Sequence, residues 1–519
     1  MGIGLSLTGA APLSLLLAWF SLVPLFLFTL PRASLPETGP AGPDPSVRSA
    51  SACGALTGAG MSLITWIWLP GTIAVMSRGK WGLGIGFLGA LTVFWAACFG
   101  LLAAANAWIG RRISARAKSS AAGYILPWAA AGLWVLFEYA YTLPIAASGF
   151  TFLPNLGYGQ WSVAGLIQLA SLTGVFGVSF LIVLVNASLA VGLRARRWGP
   201  LLPALGLLAL VWGGGWLRVQ AADRTPPQTG SPVRVAVLQG DIQPFPKFER
   251  TESSFLAHRY LDLARKAVET RPNLVIWTES AVPWALEEGD DLVETALKIT
   301  QPAQACHLVG TLFRAPEGPT NTFHNTAFLV LPDGQIVAQY HKMRLIPLAE
   351  LPVSLPGMSR PVCALSGPNG EQLVPGPRLT ILNSPFGQIG VTICNENFYA
   401  DMTRSLVRRG ADLLVTIGND GWCRGTVAHR QHFAANAFRA VEAGRDIVVA
   451  NNSGISGIVD AFGRVLGQTE IHQTTCFAGA AIGRRFSTFY SRHGDTFVAL
   501  CLALLLVLPI LIRIPGIRR

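Results

Sequence analysis

Seven stretches of this chain reach the ~20 mostly apolar residues needed to cross a bilayer while carrying no charge, or at most one. They are residues 11–30, 54–76, 82–109, 121–147 (with Glu138 as its single charge), 163–193, 201–217 and 497–512. Between the sixth and seventh lies a long stretch of ordinary polar composition. A chain that is 51% hydrophobic and 13% charged over 519 residues is too apolar for a soluble multidomain protein. The pattern therefore predicts an α-helical transmembrane bundle of seven spans, or eight if a further span precedes the first run, with one globular domain inserted before the last span. The expected division is a bundle over residues 1–217, a globular domain over 218–491, and a terminal span with a basic tail over 492–519.

Lysine and arginine in short loops tend to stay in the cytoplasm. Arg111, Arg112, Arg116 and Lys118 follow the third run, Arg194, Arg196 and Arg197 the fifth, and Arg513, Arg518 and Arg519 close the chain. Alternation then puts all three clusters on one side and the globular domain on the extracytoplasmic side, with only Arg78 and Lys80 dissenting. It places Met1 outside as well, which points to a first span that is either missing or left as a remnant in residues 1–10. The first run lacks the basic leader of a cleavable signal. The net charge of +12 belongs largely to these loops, where it sets topology and meets lipid headgroups. Inside the domain the basic residues are scattered without aromatic interleaving, which excludes a nucleic-acid footprint.

No CxxC occurs, so zinc-ribbon and thioredoxin-like readings fail. A disulfide among Cys306, Cys363, Cys423 and Cys476 stays open, with no pairing legible. His429 and His432 stand at i, i+3 on an expected helix without a third ligand group, which reads as a hydrogen-bonded face rather than a metal site. No metal or other cofactor is expected. Gly84, Gly86 and Gly89 match G-x-G-x-x-G, but they open a transmembrane run with no strand before them, so close helix packing explains them better. Glu138, costly in lipid, is expected to face the bundle interior.

Residues 31–51, rich in proline, read as a loop, and 222–231 as the linker into the domain. Within the domain the expected strands are 233–239, 273–279, 307–313, 325–331, 335–339, 378–383, 388–394, 411–417 and 447–451. Several are continuous apolar runs, as in a sheet covered on both faces. The expected helices are 253–270, 291–300, 400–409 and 427–443, with Gly410 and Gly444 as caps. Together these predict a layered α/β sandwich.

Three of the strand ends carry reactive groups. Cys394 closes the run Gly387-Gln-Ile-Gly-Val-Thr-Ile-Cys394 and is followed by Asn395, Glu396 and Asn397. Glu279 closes Leu274-Val-Ile-Trp-Thr-Glu279, and Lys342 follows Tyr340-His341. A thiol on a strand-to-turn junction, a carboxylate and an amine supply a nucleophile, a base and a cation, which together fit acyl transfer.

That order, in a domain set between an N-terminal bundle and a C-terminal span, resembles the apolipoprotein N-acyltransferases, membrane members of the nitrilase superfamily. The stretches that carry the resemblance are Ile276-Trp-Thr-Glu-Ser280, Tyr340-His-Lys-Met-Arg-Leu-Ile-Pro-Leu-Ala-Glu350, Gly390-Val-Thr-Ile-Cys-Asn-Glu396, Ile417-Gly-Asn-Asp-Gly-Trp422, Arg439-Ala-Val-Glu-Ala-Gly-Arg445 and Asn451-Asn-Ser-Gly454. The resemblance implies an αββα sandwich, with Cys394 as nucleophile, Glu279 as general base and Lys342 as the cation that steadies the oxyanion. It also implies supporting roles for Glu350, Glu396, Asn395 and Trp422. It further implies a phospholipid acyl donor, diacylglyceryl-modified apolipoproteins as acceptors, no cofactor, a monomer, and a bacterial inner membrane with the domain on the periplasmic side. An apolar entrance is expected along residues 345–355 and the loop around Trp422. Asn395 stands where the family has a tyrosine, Phe248 where it has a tryptophan, and Leu348-Ala349 where it has Phe-Gly, differences that bear on substrate preference. Three other readings stay open: a nitrilase-type amide or ester hydrolase at the membrane, a non-catalytic lipoprotein-binding scaffold, and a relative that acylates a different amine or serves as a platform for a glycolipid synthase.

Overall fold

The computed structural model describes residues 12–31, 46–77, 79–148, 155–224, 232–243, 253–285, 290–316, 319, 321–347, 349–352 and 372–511. Arg78, Phe248, Leu348, Cys363 and the basic tail lie outside the described residues. Four helices are long and apolar enough to cross a membrane, at Trp81–Arg116, Ala121–Leu143, Val175–Ala195 and Leu201–Ala222. The helices Val47–Thr65 and Leu69–Met76, bent by 51° at their junction, make a fifth if the pair is one span.

Besides that bent pair, two of the apolar runs are not single straight helices, and each of these two breaks has a local cause. The first run forms Pro12–Leu17 and Val23–Thr29, joined by a turn. Asn186, from the Val175–Ala195 helix, accepts the Leu22 N–H at 2.9 Å and donates to the Ala18 carbonyl at 2.9 Å. It thereby satisfies the backbone groups that the break exposes, as an apolar surrounding requires. The expected span over 163–193 is corrected: Ala164–Ile167 and Ala170–Thr173 are short separate helices, and only Val175–Ala195 is long. Gly174, at φ 66°, turns the chain between them. The last run gives the 16-residue helix Thr496–Leu511.

Small residues bring two helices together. A Cβ at Gly58 would lie 2.3 Å from the Trp95 carbonyl oxygen, and one at Gly54 equally close to that of Phe99, so Val47–Thr65 packs backbone to backbone on Trp81–Arg116. In the G-x-G-x-x-G decoy only Gly84 meets a neighbour, Pro70; Gly86 and Gly89 face open space. Glu138 does face inward, accepting from Trp134 Nε1 at 2.9 Å, Asn155 Nδ2 at 3.0 Å and the Leu156 N–H at 2.9 Å.

The polar stretch folds into two mixed sheets. The first holds β1 (Pro232–Gln239), β2 (Leu274–Trp277), β3 (Val282–Ala285), β4 (Cys306–Arg314), β5 (Thr322–Val330), β6 (Ile336–His341) and β7 (Gln372–Leu373). The second holds β8 (Ile381–Ser384), β9 (Gly387–Ile393), β10 (Leu413–Gly418), β11 (Ile447–Asn451), β12 (Gly457–Val459) and β13 (Val465–Gln468), while β14 (Thr475–Ile482) returns to pair antiparallel with β1. Strands β1, β2 and β4 run parallel, as do β9, β10 and β11.

Side-chain alternation explains why the strands read as unbroken apolar runs. Val233, Val235 and Val237 of β1, with Leu274 and Ile276 of β2, point to the second sheet and join Ile389, Val391 and Val415. Ala236 and Leu238, with Val275 and Trp277, point the other way, to Tyr260, Leu263, Val293 and Leu297 of the Ser253–Glu269 and Asp291–Thr300 helices. The Ala400–Arg408 and Ala428–Ala443 helices cover the second sheet. The layers are therefore helix, sheet, sheet, helix, as expected.

The second helix layer and the bundle share one apolar core. Polar contacts cross the same boundary. Glu442 accepts the N–H of Val175, first residue of a membrane helix, at 3.0 Å. Arg439 donates to Glu442 at 2.8 Å and to the Phe398 carbonyl at 3.1 Å, and lies over the Tyr158 ring. Gln168 donates to the Phe462 carbonyl at 2.7 Å.

Candidate active site

The sheets bring the three strand ends together: Lys342 pairs with Glu279, and the charges of both act on Cys394. Glu279 lies two residues past β2, and Ser280 beside it takes φ 46° to turn the chain away. A Cβ at Gly310 of β4 would fall 2.1 Å from the Thr278 carbonyl, so a glycine there lets this segment lie against the sheet. Lys342 is the first residue after β6, its N–H tied to the Asn325 carbonyl of β5 at 2.8 Å. Cys394 follows β9 directly and opens a single helical turn, Cys394–Phe398.

Lys342 is wholly buried, and Glu279 and Glu350 are 6% and 4% exposed. The Lys342 Nζ lies 2.8 Å from Glu350 Oε1 and 3.2 Å from Glu279 Oε1. Asn325 Nδ2 donates to Glu279 at 2.7 Å, and the Ile346 N–H holds the other oxygen of Glu350 at 2.9 Å. Burial alone would strip charge from the lysine, but the two carboxylates outweigh it and hold its pKa well above the ordinary value. Lys342 is thus a fixed cation, and one carboxylate more than neutralises it.

Cys394 is partly exposed and sits at φ 55°, a left-handed conformation rare for a side chain other than glycine. Loss of water pushes its thiol well above the ordinary range, Glu279 adds to that push, and Lys342 pulls the other way without overcoming it. The ammonium eases ionisation without making it favourable, so the group stays a thiol. Nucleophilic attack from it needs a base that removes the proton as the bond forms, and Glu279 is the carboxylate whose charge acts most strongly on the sulfur.

The remaining residues divide by what they touch. Glu396 takes no part in the Lys342 pair. It accepts the N–H groups of Met343 at 2.7 Å, Arg344 at 3.0 Å and Ile393 at 2.8 Å, and the Tyr340 hydroxyl at 2.9 Å. It therefore joins the loop that carries Lys342 to the turn that carries Cys394. Asn395 reinforces that joint by donating to the Arg344 carbonyl at 3.0 Å. Trp422 is partly exposed on the Asp420–Cys423 turn, and the expected entrance over 345–355 runs beyond the described residues after 352. Cys306, Cys423 and Cys476 are free thiols.

Sequence reasoning missed Asn325 and the Asp420–His432 contact at 2.7 Å. Asn325 gave one signal, a polar residue at the mouth of an apolar strand. His432 makes the hydrogen bond expected of that face, whereas His429 stops 3.6 Å from Asp420, outside hydrogen-bond distance.

The carbon-nitrogen hydrolase family matches residues 234–480, and the N-terminal domain of apolipoprotein N-acyltransferase matches residues 1–188. An apolipoprotein N-acyltransferase of Geobacter metallireducens is 31% identical over 518 residues, covering 97% of this chain and 92% of the relative. The chain belongs to the apolipoprotein N-acyltransferase family. A second member, from Shewanella oneidensis, is 28% identical and covers 72% of each chain. Membership places the chain among membrane acyltransferases built on a nitrilase-like domain; the N-terminal match falls on the apolar helices and the carbon-nitrogen hydrolase match on the paired sheets.

Proposed function

We propose that this enzyme moves an acyl chain from a membrane phospholipid to the α-amino group of the diacylglyceryl-cysteine of apolipoproteins, through a thioester on Cys394. The observation that carries the reading is the buried Lys342 ammonium shared by Glu279 and Glu350 beside a strained, partly exposed cysteine. In the first half-reaction the Cys394 sulfur attacks the ester carbonyl and its proton passes to Glu279. Lys342 steadies the oxyanion, a contribution commonly worth ~3–4 kcal/mol when one such donor is removed. The tetrahedral species collapses, and Glu279 returns the proton to the departing lysophospholipid oxygen. In the second half-reaction the lipoprotein amine attacks the thioester and loses its proton to Glu279. The C–S bond breaks, the amide remains on the acceptor, and the thiol regains its hydrogen. Glu350 holds Lys342 in place, and Glu396 and Asn395 hold the two loops.

On this reading residues 1–217 form the membrane bundle, whose last helix continues to Arg224, with the catalytic domain after it as far as 491 and a last span with a cytoplasmic tail over 492–519. The basic loops support an orientation with the catalytic domain on the periplasmic face of the inner membrane.

The test is mass spectrometry of a client lipoprotein's N-terminal peptide after depletion of this protein, with wild type or Cys394→Ala added back. Loss of the N-linked acyl chain, restored by wild type alone, is the expected result. Unchanged N-acylation would reject the reading. Release of free fatty acid from labelled phospholipid without lipoprotein acylation would favour the hydrolase instead, and full rescue by Cys394→Ala the scaffold.

A further inference from the structure

A thiol, an imidazole and a carboxylate lie in sequence of contact at Cys394, His432 and Asp420, which would ordinarily suggest a proton relay. The contacts exclude it. His432 Nε2 lies 3.0 Å from the backbone carbonyl oxygen of Cys394, and its Nδ1 lies 2.7 Å from Asp420 Oδ1. A carbonyl oxygen only accepts. Asp420 also accepts: burial works against its charge, but the imidazoles of His432 and His429 hold it below the usual carboxylate range. Each ring nitrogen of His432 must therefore carry a hydrogen, which leaves no lone pair to take a proton from the thiol.

The same residue grips the turn at a second point, because its backbone carbonyl accepts Asn397 Nδ2 at 2.9 Å. The Phe398 ring stacks on the imidazole at 5.6 Å and 13°. Cys394, Asn397 and Phe398 all belong to the Cys394–Phe398 turn. A cysteine at φ 55° persists only where its surroundings over-determine it, and a charge-assisted hydrogen bond to its carbonyl is among the stronger ways to do so.

We propose that His432, kept doubly protonated by Asp420, is a positioning residue that locks the Cys394 carbonyl and so fixes the left-handed turn on which the nucleophile sits. This inference rests on the reading of Cys394 given above. Were His432 neutral, the hydrogen would stay on Nδ1, facing the carboxylate, and the Nε2 lone pair would confront the Cys394 oxygen. The turn would then lose its lock. Among the described residues the groups that face the ring are Asp420 from the 420–423 turn, the Cys394 backbone and, farther off, Glu279 past β2; His429, one turn earlier on the same helix, competes for Asp420 at 3.6 Å. Burial disfavours the His432 charge, but Asp420 prevails and its pKa is raised, which widens the pH range over which the lock stays closed.

The test follows formation of the Cys394 acyl-enzyme from an acyl-labelled phospholipid, in single turnover by intact-protein mass spectrometry, between about pH 5 and 9. With Asp420→Asn the ratio of variant to wild-type rate should fall ~10-fold or more as pH rises through the ordinary imidazole range near 6.5, and recover on acidification. His432→Gln, which keeps a donor for the carbonyl, should stay within about tenfold of wild type with no such pH step. His432→Phe should lose acylation at every pH. An Asp420→Asn ratio that is flat with pH, whether high or low, overturns the proposal, as does equal damage by His432→Gln and His432→Phe. The glutamine and phenylalanine pair decides the matter even if Asp420→Asn does not accumulate. Absence of any acyl-enzyme in wild type would instead overturn the role of Cys394 itself.

Discussion

The carboxylate of Glu396 accepts the backbone N–H of Met343, the residue after the buried lysine, at 2.7 Å, although the two are far apart in sequence. Through its other oxygen it holds the Ile393 N–H at 2.8 Å, the residue before the cysteine. One side chain that touches neither Lys342 nor Cys394 thus ties together the two segments that carry them.

Replacing that side chain should be costly in proportion to its bonds. In Glu396→Gln one face becomes an NH2 group opposed to backbone N–H donors, leaving buried groups unsatisfied at ~1–3 kcal/mol. A lower melting temperature in detergent, together with a fall in acyl-enzyme formation of at least ~10-fold, is the expected outcome. An unchanged melting curve would show that water or a shifted loop replaces the joint.

Labelling of the thiol separates reactivity from catalysis. Because the Cys394 pKa is raised, iodoacetamide labelling should climb with pH without a plateau as far as about pH 9, beyond the ordinary thiol value near 8.5. Glu279→Gln removes a neighbouring negative charge and so lowers that pKa. It should speed labelling by roughly 3- to 10-fold at fixed pH while abolishing acyl transfer. Lys342→Met should slow labelling and abolish transfer. Rates that do not vary with pH would mean a resident thiolate and would leave Glu279 without its task as base.

The buried pair at the membrane junction should behave as a unit. Glu442→Gln strands the Arg439 charge and is expected to cost ~3–5 kcal/mol, whereas a double change to methionine at 439 and 442 should recover part of the loss. Thermal unfolding of the detergent-solubilised protein reads both. Equal loss in single and double variants would show that the pair's hydrogen bonds, rather than its charge balance, hold the junction.

Two glycines of the bundle make a matched contrast. Gly58→Val would drive its side chain into the Trp95 carbonyl and force the helices apart, at ~1–3 kcal/mol. Gly86→Val points into open space and should leave the melting temperature within a degree or so of wild type. Similar effects at both positions would contradict the close approach at Gly58.

Much of this arrangement was legible in the residues because burial leaves a pattern. The helix Asp291–Thr300 and the strand Ile447–Asn451 fall where their apolar periodicity puts them. Glu279, Lys342 and Cys394 stood out because each is a polar group at the end of an apolar run. Strand β14 did not, since Thr475–Ile482 is rich in alanine and glycine; pairing with β1 along its whole length makes it a strand. Glu396 was noticed as a carboxylate near the cysteine, but its purpose lies in N–H groups that only the fold brings near. His432 was equally visible as a residue and equally opaque, for its partners are a carbonyl and a carboxylate on two other turns. The break in the first apolar run escaped notice for the same reason, as Asn186 mends it from a distant helix.

The Val175 amide that ends on Glu442 has a further consequence. Nitrilase-like domains can be thought of as detachable tools, yet here the hilt is forged into the blade: severed from its helices, this half would bare the socket around Tyr158 and leave the Arg439 grip on the Phe398 carbonyl without its backing. A water-soluble descendant could not arise by simple truncation. It would first have to grow its own plug for that socket.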